Sequence, residues 1–401
     1  MMDEARLIEA GTPAFRRATL ALFAAGFSTF AVLYGVQPLL PVFADNFHVS
    51  PAESSLALSL PCATLAIALL VVSPLSEVFG RKPVMTASLF ASALLTIAAV
   101  LMPDWHGFLI LRALTGLAAS GLPAVAMAYL SEEMHGRAIG LSMGLLIGGN
   151  ALGGMVGRLL AGVIADHASW RWGLGTIGVL ALLAAVAFQF ALPASQRFRA
   201  HRMRWREVPG TFTHHFSDAG LPWLFLAPFL LMGGFVCVYN YIGFRLLDPP
   251  YSLSQTAIGL IFVVYLAGTA SSALTGHVAS VLGRRKVLWL AILLGLVGIA
   301  LTMAESLILI ILGIVVVTVS FFGSHSVASS WVGRRASSDR AQASAIYLCL
   351  FYLGSSLLGT AGGWFFLHYG WAGVAGFFAS LYVAALLVAL RLTRLPPLPL
   401  S

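Results

Sequence analysis

The chain has 401 residues, of which 59% are hydrophobic and only 9% charged, and its mean hydropathy is +0.91. A water-soluble globular chain carries about 25% charged residues, which excludes that class. The net charge of +8 is spread over short loops between apolar runs, the pattern of a membrane topology and not of a nucleic-acid footprint.

A helix that crosses a bilayer needs about 20 mostly apolar residues. By that rule the chain predicts twelve spans, at 18–42, 53–75, 83–102, 108–130, 138–164, 171–193, 222–246, 256–278, 286–304, 306–331, 341–367 and 371–390. The first 17 residues are polar and the run after them is too long for a signal peptide, so no cleaved leader is expected. Cys62, Cys237 and Cys349 lie far apart within apolar runs and read as small core residues, with no disulfide or metal site. The one long polar stretch runs from Gln196 to Asp218 and carries Arg197, Arg199, Arg202, Arg204 and Arg206. It divides the chain into a six-helix bundle at 1–195, a linker at 196–221 and a second six-helix bundle at 222–401.

The two halves repeat. Between spans 2 and 3 the chain reads Ser73-Pro-Leu-Ser-Glu-Val-Phe-Gly-Arg-Lys-Pro-Val-Met85; between spans 8 and 9 it reads Gly276-His-Val-Ala-Ser-Val-Leu-Gly-Arg-Arg-Lys-Val-Leu288. Leu75, Gly80, Arg81 and Lys82 align with Val278, Gly283, Arg284 and Arg285 at an offset of 203. Gly80 and Gly283 suit a tight reversal after a helix, because glycine accepts positive φ. Ser169-Trp170 before span 6 is echoed by Gly370-Trp371 before span 12. With the N-terminus inside, 19 of the 23 basic residues fall on the cytoplasmic side; only Arg171 and Arg245 fall outside, and Arg112 and Arg158 lie within spans. That bias places both termini in the cytoplasm. Two six-helix halves in parallel repeat are the architecture of one class of secondary transporter, with the solute site near the membrane midplane.

On these residues the chain resembles the major facilitator superfamily along nearly its whole length. Ser73–Met85 is similar to the signature Gly-x-Leu-Ala-Asp-Arg-x-Gly-Arg-Lys, departing at Ser73, Glu77 and Val78. Arg112-Ala-Leu-Thr-Gly116 resembles the Arg-x-x-Gln-Gly signature of proton-coupled members. Gly149-Asn-Ala-Leu-Gly-Gly154 is similar to the antiporter signature Gly-Pro-x-x-Gly-Gly, with Asn150 in the proline position. Gln37-Pro-Leu-Leu-Pro41, Tyr129-Leu-Ser-Glu-Glu133, Asn240-Tyr-Ile-Gly-Phe-Arg245 and His325-Ser-Val-Ala-Ser-Ser-Trp331 resemble bacterial inner-membrane transporters of the drug/sugar-efflux branch. The resemblance implies an all-α membrane protein of twelve helices in two pseudo-symmetric bundles, acting as a monomer in the inner membrane.

It also implies a cytoplasmic latch built from Glu77, Gly80, Arg81, Lys82 and Glu132, with Gly283, Arg284 and Arg285 in the second copy. The second copy lacks acids, since Ser280 stands in place of Glu77, so the latch is expected to be asymmetric. The same charges, read alone, are ordinary topology-setting residues. An acidic Glu77 can also face the N-terminus of span 11, near Ala341.

Arg112 and Arg158 are costly in hydrocarbon unless they pair or reach water, which makes them functional candidates; near span ends both can also snorkel. No carboxylate lies in the interior of any span, which argues against assuming proton coupling. The titratable group left at depth is His325 in span 10, a proton-carrier candidate beside Arg112, or else a hydrogen-bonded structural histidine. Two buried arginines lean the cavity towards neutral or anionic solutes. The expected cavity residues are Tyr34, Gln37, Asn150, Arg158, Tyr239, Asn240, Tyr241, Tyr265 and Tyr347. Gln37 and Asn240 correspond across the repeat. In span 5 two stripes of small residues, Gly140/Gly144/Gly148 and Gly149/Gly153/Gly157, both predict close helix packing, with Gly154 completing the motif.

No metal-ligand cluster, nucleophile elbow or phosphate loop is present in the sequence, so an enzyme and a nucleotide-driven pump are set aside. The expected function is proton-coupled efflux of a small organic solute. The rival is a facilitator or proton symporter importing a sugar or organic anion.

Overall fold

The computed structural model describes residues 7–198, 215–336 and 340–395, and every regular element among them is a helix. Arg6 and the expected linker arginines Arg199, Arg202, Arg204 and Arg206 lie outside the described residues, as do the side chains of Ser73 and Ala341. Twelve apolar segments appear where the hydropathy predicts them. Among the described residues nine helical segments are long and apolar enough to cross a membrane, and one of them, Gln342–Thr393, is long enough for the last two spans. That rod breaks only at Gly370, with φ 57° and ψ −146°.

Several spans are interrupted where the sequence forbids a continuous ladder. Span 1 consists of Pro13–Tyr34 and Leu40–Phe47, joined by a 3₁₀ turn at Gln37–Leu39. Pro38 has no N–H to offer the carbonyl of Tyr34, and Pro41 none for that of Gln37, so the α-helical ladder cannot cross the turn. Span 2 is Leu56–Phe79. Glu53, predicted as its first residue, instead belongs to a separate turn, Pro51–Ser54, closed by a capping box with Ser50. Span 4 breaks between Trp105–Ala119 and Pro123–Glu133. Spans 3, 5 and 6 are Arg81–Ala99, Gly136–His167 and Trp170–Ala191; spans 7 to 10 are Leu221–Leu247, Gln255–Leu282, Arg284–Leu301 and Leu307–Arg335. Gly80 and Gly283 take φ of 96° and 90°, as the reversal between spans requires.

The helices outrun their predicted edges and take in Asp45, Glu77, Glu132, Glu133 and Asp166, each within three residues of a helix end. Span interiors remain free of carboxylates.

The chain packs as two compact units, Met1–Leu39 with Leu60–Met203, and Leu40–Ser59 with Arg204–Ser401. The partition differs from the repeat boundary in one respect: 40–59, in the first half of the sequence, packs within the second unit. Its contacts there are specific. Thr360 Oγ1 donates to Ser59 Oγ at 2.6 Å and accepts from Ser55 Oγ at 3.2 Å. A Cβ on Gly363 would come within 2.5 Å of the Ala52 Cα.

Within each unit, the first and fifth helices of the repeat meet through a glycine. In the first, a Cβ on Gly153 would lie 2.0 Å from the Phe27 carbonyl oxygen; in the second, a Cβ on Gly354 would lie 2.1 Å from that of Phe229. Gly149 and Gly157 press on the Phe23 and Ala31 backbones in the same way. The other predicted stripe does not pack: Gly140, Gly144 and Gly148 have nothing within 4 Å among the described residues. The two stripes are one residue apart, about 100° around the helix, and only one of those directions faces span 1.

Candidate functional site

The break in span 1 is the centre of the first unit's polar interior. Past Tyr34 the last carbonyls of the helix lose their ladder donors. Arg112, 1% exposed in span 4, supplies two: Nη1 donates to the Val32 oxygen at 3.1 Å and Nη2 to the Leu33 oxygen at 2.9 Å. Arg112 therefore does not snorkel. It is oriented across the unit onto another helix's orphan carbonyls.

The side chain exposed by the same break is Gln37. Its Oε1 accepts from Arg158 Nε at 2.8 Å, and Arg158 Nη1 donates to its own helix at Gly154 O, also 2.8 Å. The guanidinium carbon lies 4.5 Å from the Tyr34 ring centroid, a cation–π stack. Arg158 is 3% exposed, so it too reaches inward and not to the membrane surface. Spans 1, 4 and 5 thus converge, and Tyr34, Gln37 and Arg158 form one cluster. Asn150, about two turns earlier in span 5, lies over Gly26, where any Cβ would sit 2.2 Å from its Oδ1. That oxygen is buried with no hydrogen-bond partner among the described residues.

In the second unit the polar groups are set in an aromatic nest. Tyr239 OH and Thr318 Oγ1 share a hydrogen bond of 2.6 Å. Tyr265 packs on Tyr239, Phe235 and Phe322. His325 Nδ1 and Tyr347 OH are 2.9 Å apart, and the imidazole lies between Phe321 and Phe351 with ring centroids at 5.9 and 4.9 Å. Asn240 is buried on span 7. Tyr241, expected to line a cavity, instead donates to the Gly359 and Thr360 oxygens of span 11 at 3.0 and 3.2 Å.

The charged loop divides its labour. Arg81 Nη2 is 2.6 Å from Glu132 Oε1 and 3.9 Å from Glu77 Oε1, and its Nη1 also reaches Ser76 Oγ. Glu132 is the close partner and Glu77 the distant, half-exposed one. Glu133 is buried at 3% exposure and accepts the Arg197 backbone N–H at 2.9 Å. Lys82 turns away from the acids, and Nζ donates to Leu192 O at 2.6 Å, just past the end of span 6. Its repeat partner Arg285 does the same past span 12, donating to Thr393 O at 3.2 Å and Leu395 O at 2.6 Å. Among the described residues Arg284 reaches only Ser330 Oγ, at 3.4 Å.

Sequence reading missed one ion pair altogether. Asp218 Oδ1 accepts the Gly220 and Leu221 N–H groups at 2.8 and 2.7 Å, capping span 7, and Arg335 at the end of span 10 donates to the same oxygen at 2.5 Å. Burial alone raises the Asp218 carboxyl pKa, but these hydrogen bonds and the Arg335 charge hold it below its ordinary value. Its stabilisation is therefore complete above the unfolded carboxylate pKa of about 4 and is lost as pH falls through the lower folded value. Thermal unfolding of Asp218→Asn is expected to lie below that of the unmodified protein by a constant margin from pH 7 to about 5, and the margin to close below about pH 4.

Twelve apolar spans in two units, with polar side chains paired inside each and a broken helix at the centre of the first, are the architecture of a multi-pass membrane transporter. The Major Facilitator Superfamily model matches residues 22–248 and 246–401. The chain is 48% identical to the inner membrane transport protein YnfM of Escherichia coli (strain K12), over 97% of this chain and 93% of that protein. It is 43% identical to the uncharacterized MFS-type transporter YybF of Bacillus subtilis (strain 168), over 98% and 97%. The crystal structure of a mutant of the nucleoside transporter NupG superposes with a TM-score of 0.76 at 16% identity, covering 93% of this chain and 98% of that one, a likeness of fold. The chain belongs to the Major Facilitator Superfamily.

Proposed function

We propose that this transporter exports a small neutral or anionic organic solute from the cell in exchange for protons, with both termini cytoplasmic. The halves 1–195 and 222–401 alternate as bundles, and a single chain suffices. The observation that carries the reading is the Arg158–Gln37–Tyr34 cluster at the break of span 1. There a guanidinium, an amide and a phenol ring converge inside a helical unit, and such a donor set suits hydroxyls or carboxylates of a solute. The His325–Tyr347 pair supports proton exchange, as the titratable group nearest a span interior. The likeness of Gly149–Gly154 to the antiporter signature supports the direction, and the likeness to the inner membrane transport protein YnfM supports the inner membrane.

The test uses inverted membrane vesicles with a pre-formed pH gradient, challenged with sugars, organic acids and amphiphilic drugs. Dissipation by one neutral or anionic class, lost in Arg158→Ala, is the expected result. Isotope flux that leaves the gradient untouched would establish the rival facilitator, and preferential movement of a cationic dye would overturn the solute class.

In the same reading Arg81 with Glu132, and more weakly Glu77, form the latch, with Gly80 setting its turn; Gly283, Arg284 and Arg285 are its acid-free second copy. Glu132→Gln is expected to change transport rate by a larger factor than Glu77→Gln, because a contact at 2.6 Å outweighs one at 3.9 Å to a half-exposed acid. Equal effects of the two would remove Glu132 from the latch.

A further inference from the structure

Lys82 is conspicuous because, among the described residues, a tether accounts for only one of its three donors. One N–H reaches Leu192 O; an ammonium has three. Close by, and near enough for like-charge repulsion, is Arg17 of span 1, whose Nη2 donates to Phe190 O at 3.0 Å. Two cations therefore flank the end of span 6. Lys82 also lines a cleft of about 600 Å³ with Arg81, Thr86, Gln189 and Ser195, walled on its apolar side by Phe79. Ser195 Oγ is buried there and has no hydrogen-bond partner among the described residues.

The cleft lies where span 3 begins and span 6 ends, at one end of two apolar helices long enough to cross a membrane. Its surroundings are correspondingly amphipathic. Phe190 is 76% exposed, Leu20 67% and Phe79 65%, so large apolar side chains flank the two cations. The acids at this end are engaged elsewhere, Glu132 and Glu77 with Arg81 and the buried Glu133 with the Arg197 N–H. Lys82 and Arg81 carry positive charge in the cleft, Arg81 being paired with Glu132; Arg17 stands beside Lys82, and the remaining polar groups, Thr86, Gln189 and Ser195, are neutral. Phosphate oxygens suit that set, and acyl chains suit the apolar flank.

We infer that the Lys82–Arg17 cleft is a binding site for the phosphate headgroup of an anionic membrane phospholipid. The phosphate accepts from Lys82, Arg17 and the Ser195 hydroxyl, since Thr86 Oγ1 already donates to Gln189 Oε1 at 3.0 Å, and the chains lie along Phe190 and Leu20. The purely structural alternative is that both cations serve only to cap span 6 carbonyls.

Lys82 and Lys286 are the chain's two lysines, which gives the full-length protein its own internal control. The protein in nanodiscs of phosphatidylglycerol or of phosphatidylcholine is treated with an amine-acylating reagent, and labelling of each lysine is read by mass spectrometry. Slower labelling of Lys82 in phosphatidylglycerol, with the exposed Lys286 changed less, is expected. Equal labelling ratios in the two lipids would overturn the site. In a second arm, native mass spectrometry counts phosphatidylglycerol molecules retained by the detergent-purified protein and by Arg17→Gln/Lys82→Gln. Glutamine keeps a donor for each carbonyl and removes the charge. Affinity is expected to fall about tenfold or more in the double variant; unchanged retention would leave capping as the whole role. Glycerol phosphate supplied free in solution should not protect Lys82, and protection equal to that by the lipid would identify a soluble phosphate ligand instead and overturn the lipid assignment.

Discussion

Arg112→Met will lower the thermal stability of the detergent-purified protein markedly, and it will do so whether or not Arg112 has any part in proton movement. The side chain is buried, and it donates to two carbonyls, Val32 and Leu33, at the end of a helix that cannot continue. Methionine fills a similar volume and offers no N–H. Each stranded buried acceptor costs about 1–3 kcal/mol, so the loss is several kcal/mol unless the break in span 1 rearranges. Arg112→Lys should fall between, since a single ammonium keeps the charge but not the planar fork that reaches both oxygens. A variant that melts like the unmodified protein yet no longer transports would show that the two carbonyls are satisfied some other way and that Arg112 acts chemically. Fluorescence-detected size exclusion after heating separates these outcomes without knowledge of the solute.

The second large effect belongs to Gly153. Gly153→Ala places a methyl carbon 2.0 Å from the Phe27 carbonyl oxygen and 2.5 Å from its Cα. These are backbone atoms, so no rotamer change relieves the contact and spans 1 and 5 have to separate. The penalty should reach or exceed the roughly 1–3 kcal/mol usual for overpacking, and it should spread to the Gln37–Arg158 contact, which spans the same two helices. Gly354→Ala is expected to match it in the second unit, against Phe229. The control is Gly144→Ala, on the same helix, with nothing within 4 Å. It should be neutral or slightly stabilising, because alanine is the better helix former by about 1 kcal/mol. If Gly153→Ala yields as much monodisperse, heat-stable protein as Gly144→Ala, the close crossing of spans 1 and 5 is wrong.

These two predictions mark what could and could not be read from residues in order. The basic loops, the reversal glycines Gly80 and Gly283 and the twelve spans were legible. Each depends on a sum over neighbouring residues or on a backbone conformation that one residue type tolerates. The partners of Arg112 and Arg158 were not. Both arginines looked able to snorkel from a span end, and only the meeting of spans 1, 4 and 5 turns them inward, onto the Val32 and Leu33 carbonyls and the Gln37 side chain at the break of span 1. The signal was present in Gln37-Pro-Leu-Leu-Pro41, whose prolines announce a broken ladder without saying which distant donor repairs it. Asp218 and Arg335 are 117 residues apart, and nothing local couples them. Lys82 carries the same charge as Arg81 beside it, yet it faces Leu192 while Arg81 faces Glu132, because adjacent positions on a helix point about 100° apart.

By itself, then, the sequence determined that this is a membrane protein of two repeated six-helix halves in the Major Facilitator Superfamily, because insertion into a bilayer depends on hydropathy summed over about 20 consecutive residues. Tertiary structure alone decided that Gly153 and not Gly144 is a contact, that 40–59 packs with the second unit, and which buried polar atoms find each other. Those outcomes depend on the angular phase of each helix and on which remote segment brings a lone pair within about 3 Å, quantities that no local window contains.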